Sequence, residues 1–213
     1  MNKSGPDLME IETEHIHESL WLPSSQIFHP YDWAELFGST APMEVELGSG
    51  DGTFIVERAK ASPDHHFLAV ERLMGRARKI IRKLKREELT NVKVLRLESF
   101  YVLSRLCPLN SLDRVWILFP DPWPKAKHHR RRLIQPDFLE AAHLALKPEG
   151  MVCFGTDHEE YFHWAKEVWE EQPNWNESDA WDWSLDPVTD FQRGFEAEGR
   201  SVHRMCWTPG GKN

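Results

Sequence analysis

From Met43 onward, short apolar runs alternate with longer stretches in which apolar residues recur three or four positions apart. Val45 to Leu47, Phe67 to Val70, Val92 to Leu97, Val115 to Phe119 and Met151 to Phe154 are the strand-length runs. Between the second and third, Met74, Ala77, Ile81 and Leu84 recur at helical spacing and are expected to face inward. Pro136 followed by Asp137 starts a helix that ends near Leu146, and a further helix covers Glu159 to Glu171. Such alternation predicts an α/β domain: a mostly parallel twisted sheet, helices on both faces, right-handed crossovers. A loop-like stretch then carries Trp175, Trp181, Trp183 and Pro187, and Val202 to Trp207 is expected to add an antiparallel strand at the C-terminal edge. Residues 1 to 40 mix acids, His15, His17, Pro23 and Pro30 without a sustained period. They read as a tail and lead-in, with the domain spanning 41 to 213.

Composition narrows the class. A chain of 213 residues with 40% hydrophobic content suffices for one domain, burying about 70% of the surface its unfolded form exposes. The longest purely apolar run, Val115 to Phe119, is far below the ~18 residues of a membrane span. The acidic N-terminus lacks a signal peptide's basic start, so a soluble cytoplasmic protein is expected, with no membrane partner. Cys107, Cys153 and Cys206 are widely separated without C-x-x-C spacing and read as small core residues. The His65-His66 and His128-His129 pairs lack acidic or Cys partners at metal-site spacing, so no metal is expected.

Charge first argues against nucleic acid, because the net charge is -8 and phosphate binding needs positive surface. The location of the charge reverses this. Arg72 to Arg86 holds eight basic residues and no acid, and Lys125 to Arg132 holds five more. An ordinary solvated helix face accounts for the first stretch as well as an RNA surface does.

The segment Glu46-Leu47-Gly48-Ser49-Gly50-Asp51-Gly52 joins the first strand to a helix beginning near Thr53. Its glycines permit a tight turn and a close ligand approach, but the third comes one position too early for a dinucleotide fingerprint. Glu46 lies in a strand covered on both faces, where a carboxylate is costly without a cation or hydrogen bonds; a ligand ammonium would suit it. Glu71 closes the second strand, where an acid accepts hydrogen bonds from both ribose hydroxyls of a nucleoside cofactor. Strand, Glu46, glycines, helix, strand and Glu71 in this order resemble class I S-adenosylmethionine-dependent methyltransferases.

At the end of the fourth strand, Phe119-Pro120-Asp121-Pro122-Trp123-Pro124-Lys125 brackets an acid with two prolines that freeze its backbone, which makes Asp121 the leading catalytic candidate. Lys127-His128-His129-Arg130-Arg131-Arg132-Leu133 follows at once. Together the two segments resemble the signature of the tRNA (guanine-N(7)-)-methyltransferase family. The resemblance runs from about Val45 to Trp207 and includes Leu146-Lys147-Pro148, Thr156-Asp157 and Thr189-Asp190-Phe191-Gln192. It implies a single Rossmann-like domain that methylates nitrogen 7 of a guanine in the tRNA variable loop. By it, Glu46, Gly48, Gly50, Glu71, Glu98 and Asp121 line the S-adenosylmethionine site. Lys125, Asp157, Thr189, Asp190, Phe191 and Gln192 contact the substrate nucleotide, and Lys127, His128, His129, Arg130, Arg131 and Arg132 meet the RNA. Glu98 stands where the family has aspartate, and Gln192 where its Thr-x-x-Glu element ends in glutamate.

Two rivals remain at this stage. A methyltransferase for a small molecule or protein shares the cofactor loop but has no use for Lys127 to Arg132; a non-catalytic RNA-binding subunit has no use for Glu46, Glu71 and Asp121. The sequence leaves monomer and homodimer equally open.

Overall fold

The computed structural model describes residues 19–22, 27–185, 187–188 and 190–211. The readings of His15, His17 and Pro23 lie outside the described residues. Seven strands form one sheet in the order β3-β2-β1-β4-β5-β7-β6. They are β1 (Met43–Leu47), β2 (His66–Val70), β3 (Val92–Leu95), β4 (Leu112–Leu118), β5 (Leu146–Thr156), β6 (Trp175–Glu177) and β7 (His203–Pro209). The first five pair in parallel, whereas β7 runs antiparallel to both β5 and β6. Strand order reverses direction between β1 and β4, so a crevice opens beyond the carboxyl ends of those two strands.

Helices α1 (Trp33–Phe37), α2 (Thr53–Ala61), α3 (Met74–Arg86), α4 (Ser99–Tyr101), α5 (Pro136–Ala145), α6 (Glu159–Glu170) and α7 (Asp190–Ala197) complete the chain. Alternation along the strands divides the core. Val45, Leu47, Val115 and Ile117 pack with Phe138, Tyr161 and Trp169 on one face. Phe67, Ala69, Val92 and Val94 pack with Ile55, Ala77, Ile80 and Leu84 on the other. Cys107, Cys153 and Cys206 are buried as core residues and form no disulfide with one another.

Three expectations change. The strand predicted for the edge, β7, lies one position inside it, and the edge is β6, within the stretch read as loop. Three residues are too few to show alternation; what holds β6 is Trp175, buried edge-on against Trp169 and His143. On α3 the buried residues are Ala77, Ile80 and Leu84, while Ile81 is half-buried and Met74 exposed, because the inward stripe starts one turn later than predicted. Part of the lead-in also belongs to the packed body: Leu22, Tyr31 and Leu36 are buried. Val94 N–H donates to the Leu20 carbonyl at 2.7 Å, and Leu22 N–H to the Val94 carbonyl at 3.0 Å. This short pairing covers the outer edge of β3, which would otherwise invite another chain.

Glu44 shows how the sheet handles a buried charge. Fully buried, it receives Arg58 Nε and Nη2 at 3.1 and 3.0 Å and the Trp116 indole N–H at 2.7 Å. Burial alone would raise this carboxyl, but Arg58, Trp116 and Arg114 outweigh it and hold it below the usual carboxylate range. Its stabilisation is therefore present above the unfolded-state value and is lost as pH falls through the depressed one. Arg58→Ala, which removes the two-pronged partner and leaves the buried carboxylate to Trp116, His65 and Arg114, is expected to cost about 3 kcal/mol in urea unfolding. A change below about 1 kcal/mol, the range of exposed pairs, would show the pair to be solvated.

Candidate functional site

The crevice begins where β1 ends. Gly48, Gly50 and Gly52 adopt φ of 87°, 56° and 81°, a left-handed region costly for other residues. A Cβ on Gly52 would lie 2.8 Å from Ile80 Cγ1, so this glycine lets α2 approach α3. A Cβ on Gly48 would meet nothing within 4 Å, and Gly48 lines the crevice. Gly48 N–H and Ser49 N–H both donate to the Val70 carbonyl at 2.9 Å, locking the loop to the end of β2.

Four acids meet around this loop. Glu71 is buried, and its carboxylate accepts Gly50 N–H at 3.0 Å and Leu73 N–H at 2.7 Å. The side chain expected to read a ribose thus also braces the loop, and a carboxylate with about four lone-pair sites can do both. Glu98 caps α4, accepting Phe100 N–H at 2.9 Å and Tyr101 N–H at 2.8 Å. Asp121 is exposed and lines the same cleft as Gly48, Glu71 and Glu98. Glu46, two residues before Gly48, is 3% exposed and does not itself line that cleft, and its Oε2 has no hydrogen-bond partner among the described residues. Burial pushes its pKa up to about 8; a Ser49 hydrogen bond opposes this, and the charges of Asp51 and Glu71 add to it. A buried carboxylate oxygen without a partner, on the strand that leads into the glycine loop, fits a ligand ammonium. The acids that line the cleft, Glu71, Glu98 and Asp121, fit the hydroxyls and amine of a nucleoside.

The segment carrying Asp121 is strained on both sides: Phe119 and Trp123 have φ of 53° and 43°, a conformation costing about 1–3 kcal/mol per residue. Phe119 N–H is held by the Gly155 carbonyl at 2.7 Å. A second pocket opens beside the cleft and shares Leu118 and Phe119 with it; Phe54, Trp183, Gln192 and Arg204 are among the rest of its wall. Each space encloses about 290 Å³, near the lower end of small-molecule sites, so two ligands would need both.

The remaining predicted residues are distributed unevenly. Gln192 lines the second pocket. Asp157, half-buried just beyond β5, forms an ion pair with Arg200, whose guanidinium stacks 4.3 Å from the Phe195 ring. Lys125 is exposed and lines neither pocket. Thr189 and the side chains of Asp190 and Phe191 lie outside the described residues. Residues Ala126–Arg131 form a 3-10 turn, not an open loop. Lys127, Arg130 and Arg131 are exposed on it and His128 and His129 half-buried, with the Arg131 guanidinium 4.9 Å from the Trp123 ring. Arg132 departs from the expectation of an RNA-facing side chain: it is 2% exposed and turned inward.

Sequence reasoning missed Trp183 as part of the second pocket's wall, and Trp181 as its neighbour on Trp116. Trp181 stacks 3.8 Å from the Arg114 guanidinium and 5.4 Å from Trp116, and Trp183 also meets Trp116. The signal was a loop-like stretch rich in tryptophan, which water alone would not favour. Arg72 and Arg76 also line the cleft, which the basic run of α3 hinted at without assigning a pocket. Among the described residues no group of three or more His, Cys, Asp or Glu could hold a metal ion.

A family described as "Putative methyltransferase" matches residues 40–205. A tRNA (guanine-N(7)-)-methyltransferase from Syntrophotalea carbinolica is 31% identical over 198 residues, 90% of this chain and 85% of the relative. One from Nitrosococcus oceani is 34% identical over 174 residues, 81% and 74% of the two chains. Among solved structures, the 16S rRNA methyltransferase KamB superposes with TM-score 0.60 at 17% identity, covering 85% of this chain and 95% of that one. The precorrin-6y C5,15-methyltransferase from Geobacter metallireducens gives 0.51 at 17%, covering 80% and 81%. At that identity the two structures establish the fold alone, a Rossmann-like α/β sheet flanked by helices.

Proposed function

Because this chain belongs to the tRNA (guanine-N(7)-)-methyltransferase family, we propose that the cleft beyond β1 and β4 is where its methyl donor and a guanine meet. The enzyme transfers a methyl group to nitrogen 7 of a guanine in tRNA. S-adenosylmethionine supplies that group as a sulfonium when bound. The observation that carries the site assignment is that Gly48, Glu71, Glu98 and Asp121 line one cleft, with the unpartnered Glu46 oxygen buried on the strand that leads into it. Glu46 takes the ammonium, Glu71 the ribose, and Glu98 the adenine end.

Guanine nitrogen 7 carries an in-plane lone pair and no proton, so the reaction needs no strong base. The protein's task is alignment, which supplies on the order of 7–11 kcal/mol at best. Positive charge moves toward the guanine ring during transfer, and the Asp121 carboxylate, fixed between two strained residues, stabilises it. The base occupies the pocket walled by Phe119, Trp183 and Gln192 after leaving its stack. Asp157 lines neither pocket and is paired with Arg200; once that pair opens, its carboxylate accepts the ring N–H and exocyclic amine in place of the guanidinium. Lys125, Asp190 and Phe191, with Thr189, contact the same nucleotide. We place the target in the variable loop and the reaction in the cytoplasm; no helix among the described residues is long and apolar enough to cross a membrane.

Lys127, His128, His129, Arg130 and Arg131 meet the phosphates near the cleft. The double variant Arg130→Ala/Arg131→Ala is therefore expected to weaken tRNA binding and flatten its salt slope by about one unit for each phosphate left without its cation. Calorimetric titration with S-adenosylmethionine should give unchanged cofactor affinity in Arg130→Ala alone, because Arg131 also lines the cleft. An unaltered salt slope would remove this turn from the RNA interface.

A further inference from the structure

In the basic turn that follows Asp121, one arginine does something the others do not. The Arg132 side chain is completely buried. Its Nε donates to the Pro122 carbonyl at 2.8 Å, its Nη1 to Glu160 Oε1 at 3.2 Å, and its Nη2 to Glu160 Oε2. The guanidinium also lies 4.9 Å from the ring centres of both Tyr161 and Trp164. Its donors and its faces are all directed into the protein, so none is presented to a phosphate.

Its partners lie on the two segments that hold the acids proposed to act on guanine. Pro122 follows Asp121 directly. Prolines 120 and 122 remove two backbone donors from that strained segment, so whatever fixes it has to reach its carbonyls. Glu160 is in the first turn of α6, three residues after Asp157. A planar fork with several donors in fixed directions can grip a carbonyl and a carboxylate together, which an ammonium cannot do with the same geometry. We infer that Arg132 is a positioning residue: it fixes the Asp121 segment against the end of β5 that carries Asp157, and so sets the spacing of the two acids around the base. This rests on the roles proposed above for Asp121 and Asp157.

The test compares Arg132→Gln, Arg132→Lys and Glu160→Gln with wild-type protein on unmodified tRNA. Both Arg132→Gln and Glu160→Gln should lower kcat on the order of 10- to 100-fold, the effect of a displaced catalytic group. KM for tRNA and the salt slope of tRNA binding should stay at wild-type values. Arg132→Lys, although still cationic, should recover little of the rate, and the double variant should be no slower than the slower single one. Hydrogen exchange at Phe119, Asp121 and Trp123 should quicken in each variant, a readout that holds whichever substrate is methylated. Should Arg132→Gln lose its circular dichroism or S-adenosylmethionine binding, Glu160→Gln carries the test, because that carboxylate is half exposed. A flattened salt slope with unchanged kcat would make Arg132 a phosphate contact and overturn the inference. Wild-type kcat or unchanged exchange in Glu160→Gln would overturn it too. Wild-type protein inactive on tRNA would instead count against the proposed function, and the exchange result would still decide the role of Arg132.

Discussion

Asp121→Ala is expected to slow methyl transfer to tRNA about 10²- to 10³-fold, the usual loss when one fixed electrostatic group is removed from a developing charge. The carboxylate lines the cleft with Gly48, Glu71 and Glu98, on a segment whose flanking residues are both held at positive φ. A protein accepts two such residues only where the fold over-determines them, and here the constraint fixes the direction of one side chain. Asp121→Asn separates charge from shape: it keeps the acceptor oxygen and loses the negative charge, so it should fall close to the alanine variant. Single-turnover rates with saturating cofactor measure this without interference from product release. A rate near wild type in Asp121→Ala would remove this residue from the chemistry.

The second large effect concerns Glu46 and pH. Burial holds its pKa at about 8 in the free protein, so the group is mostly protonated at neutral pH. A bound ammonium needs the ionised form. Cofactor binding at neutral pH should therefore release close to one proton, and affinity should fall as pH drops through about 8, approaching tenfold per unit. Glu46→Gln should weaken binding about 10- to 100-fold, from the roughly 1.5–3 kcal/mol of a charged hydrogen bond, and should abolish the pH dependence. Calorimetry in buffers of different ionisation enthalpy reads both quantities. A dissociation constant that is flat from about one unit below that pKa to just above it would show that Glu46 does not meet the ligand's charge.

Much of this site is legible in the residues alone. Each glycine of the 48–52 loop has a left-handed backbone, and of the residues that the resemblance groups together Gly48, Glu71, Glu98 and Asp121 line one cleft, whereas Glu46 and Gly50 do not. Strand ends and tight turns are local features, and local residues announce them. What stayed hidden depends on contacts distant in sequence. Arg132 looks like its basic neighbours because nothing in the run reveals that Glu160 and Tyr161 lie behind it. Strand β6 is too short for a pattern and exists because β7 offers it an edge. Ile80 replaces Ile81 in the core because two adjacent isoleucines satisfy the helical period almost equally. Trp181 has a place because Arg58, Arg114 and Trp116, far earlier in the chain, meet its ring.

The claim on which the rest depends is that one cleft brings a sulfonium donor to a guanine of tRNA. Mass-spectrometric mapping of nucleosides in unmodified tRNA, after incubation with the pure protein and methyl-labelled S-adenosylmethionine, tests it most directly. Label is expected in 7-methylguanosine at one position of the variable loop, and is expected to be absent when Asp121→Ala replaces the wild-type protein. Label on another nucleoside, or none from a protein that binds the cofactor, would contradict the claim.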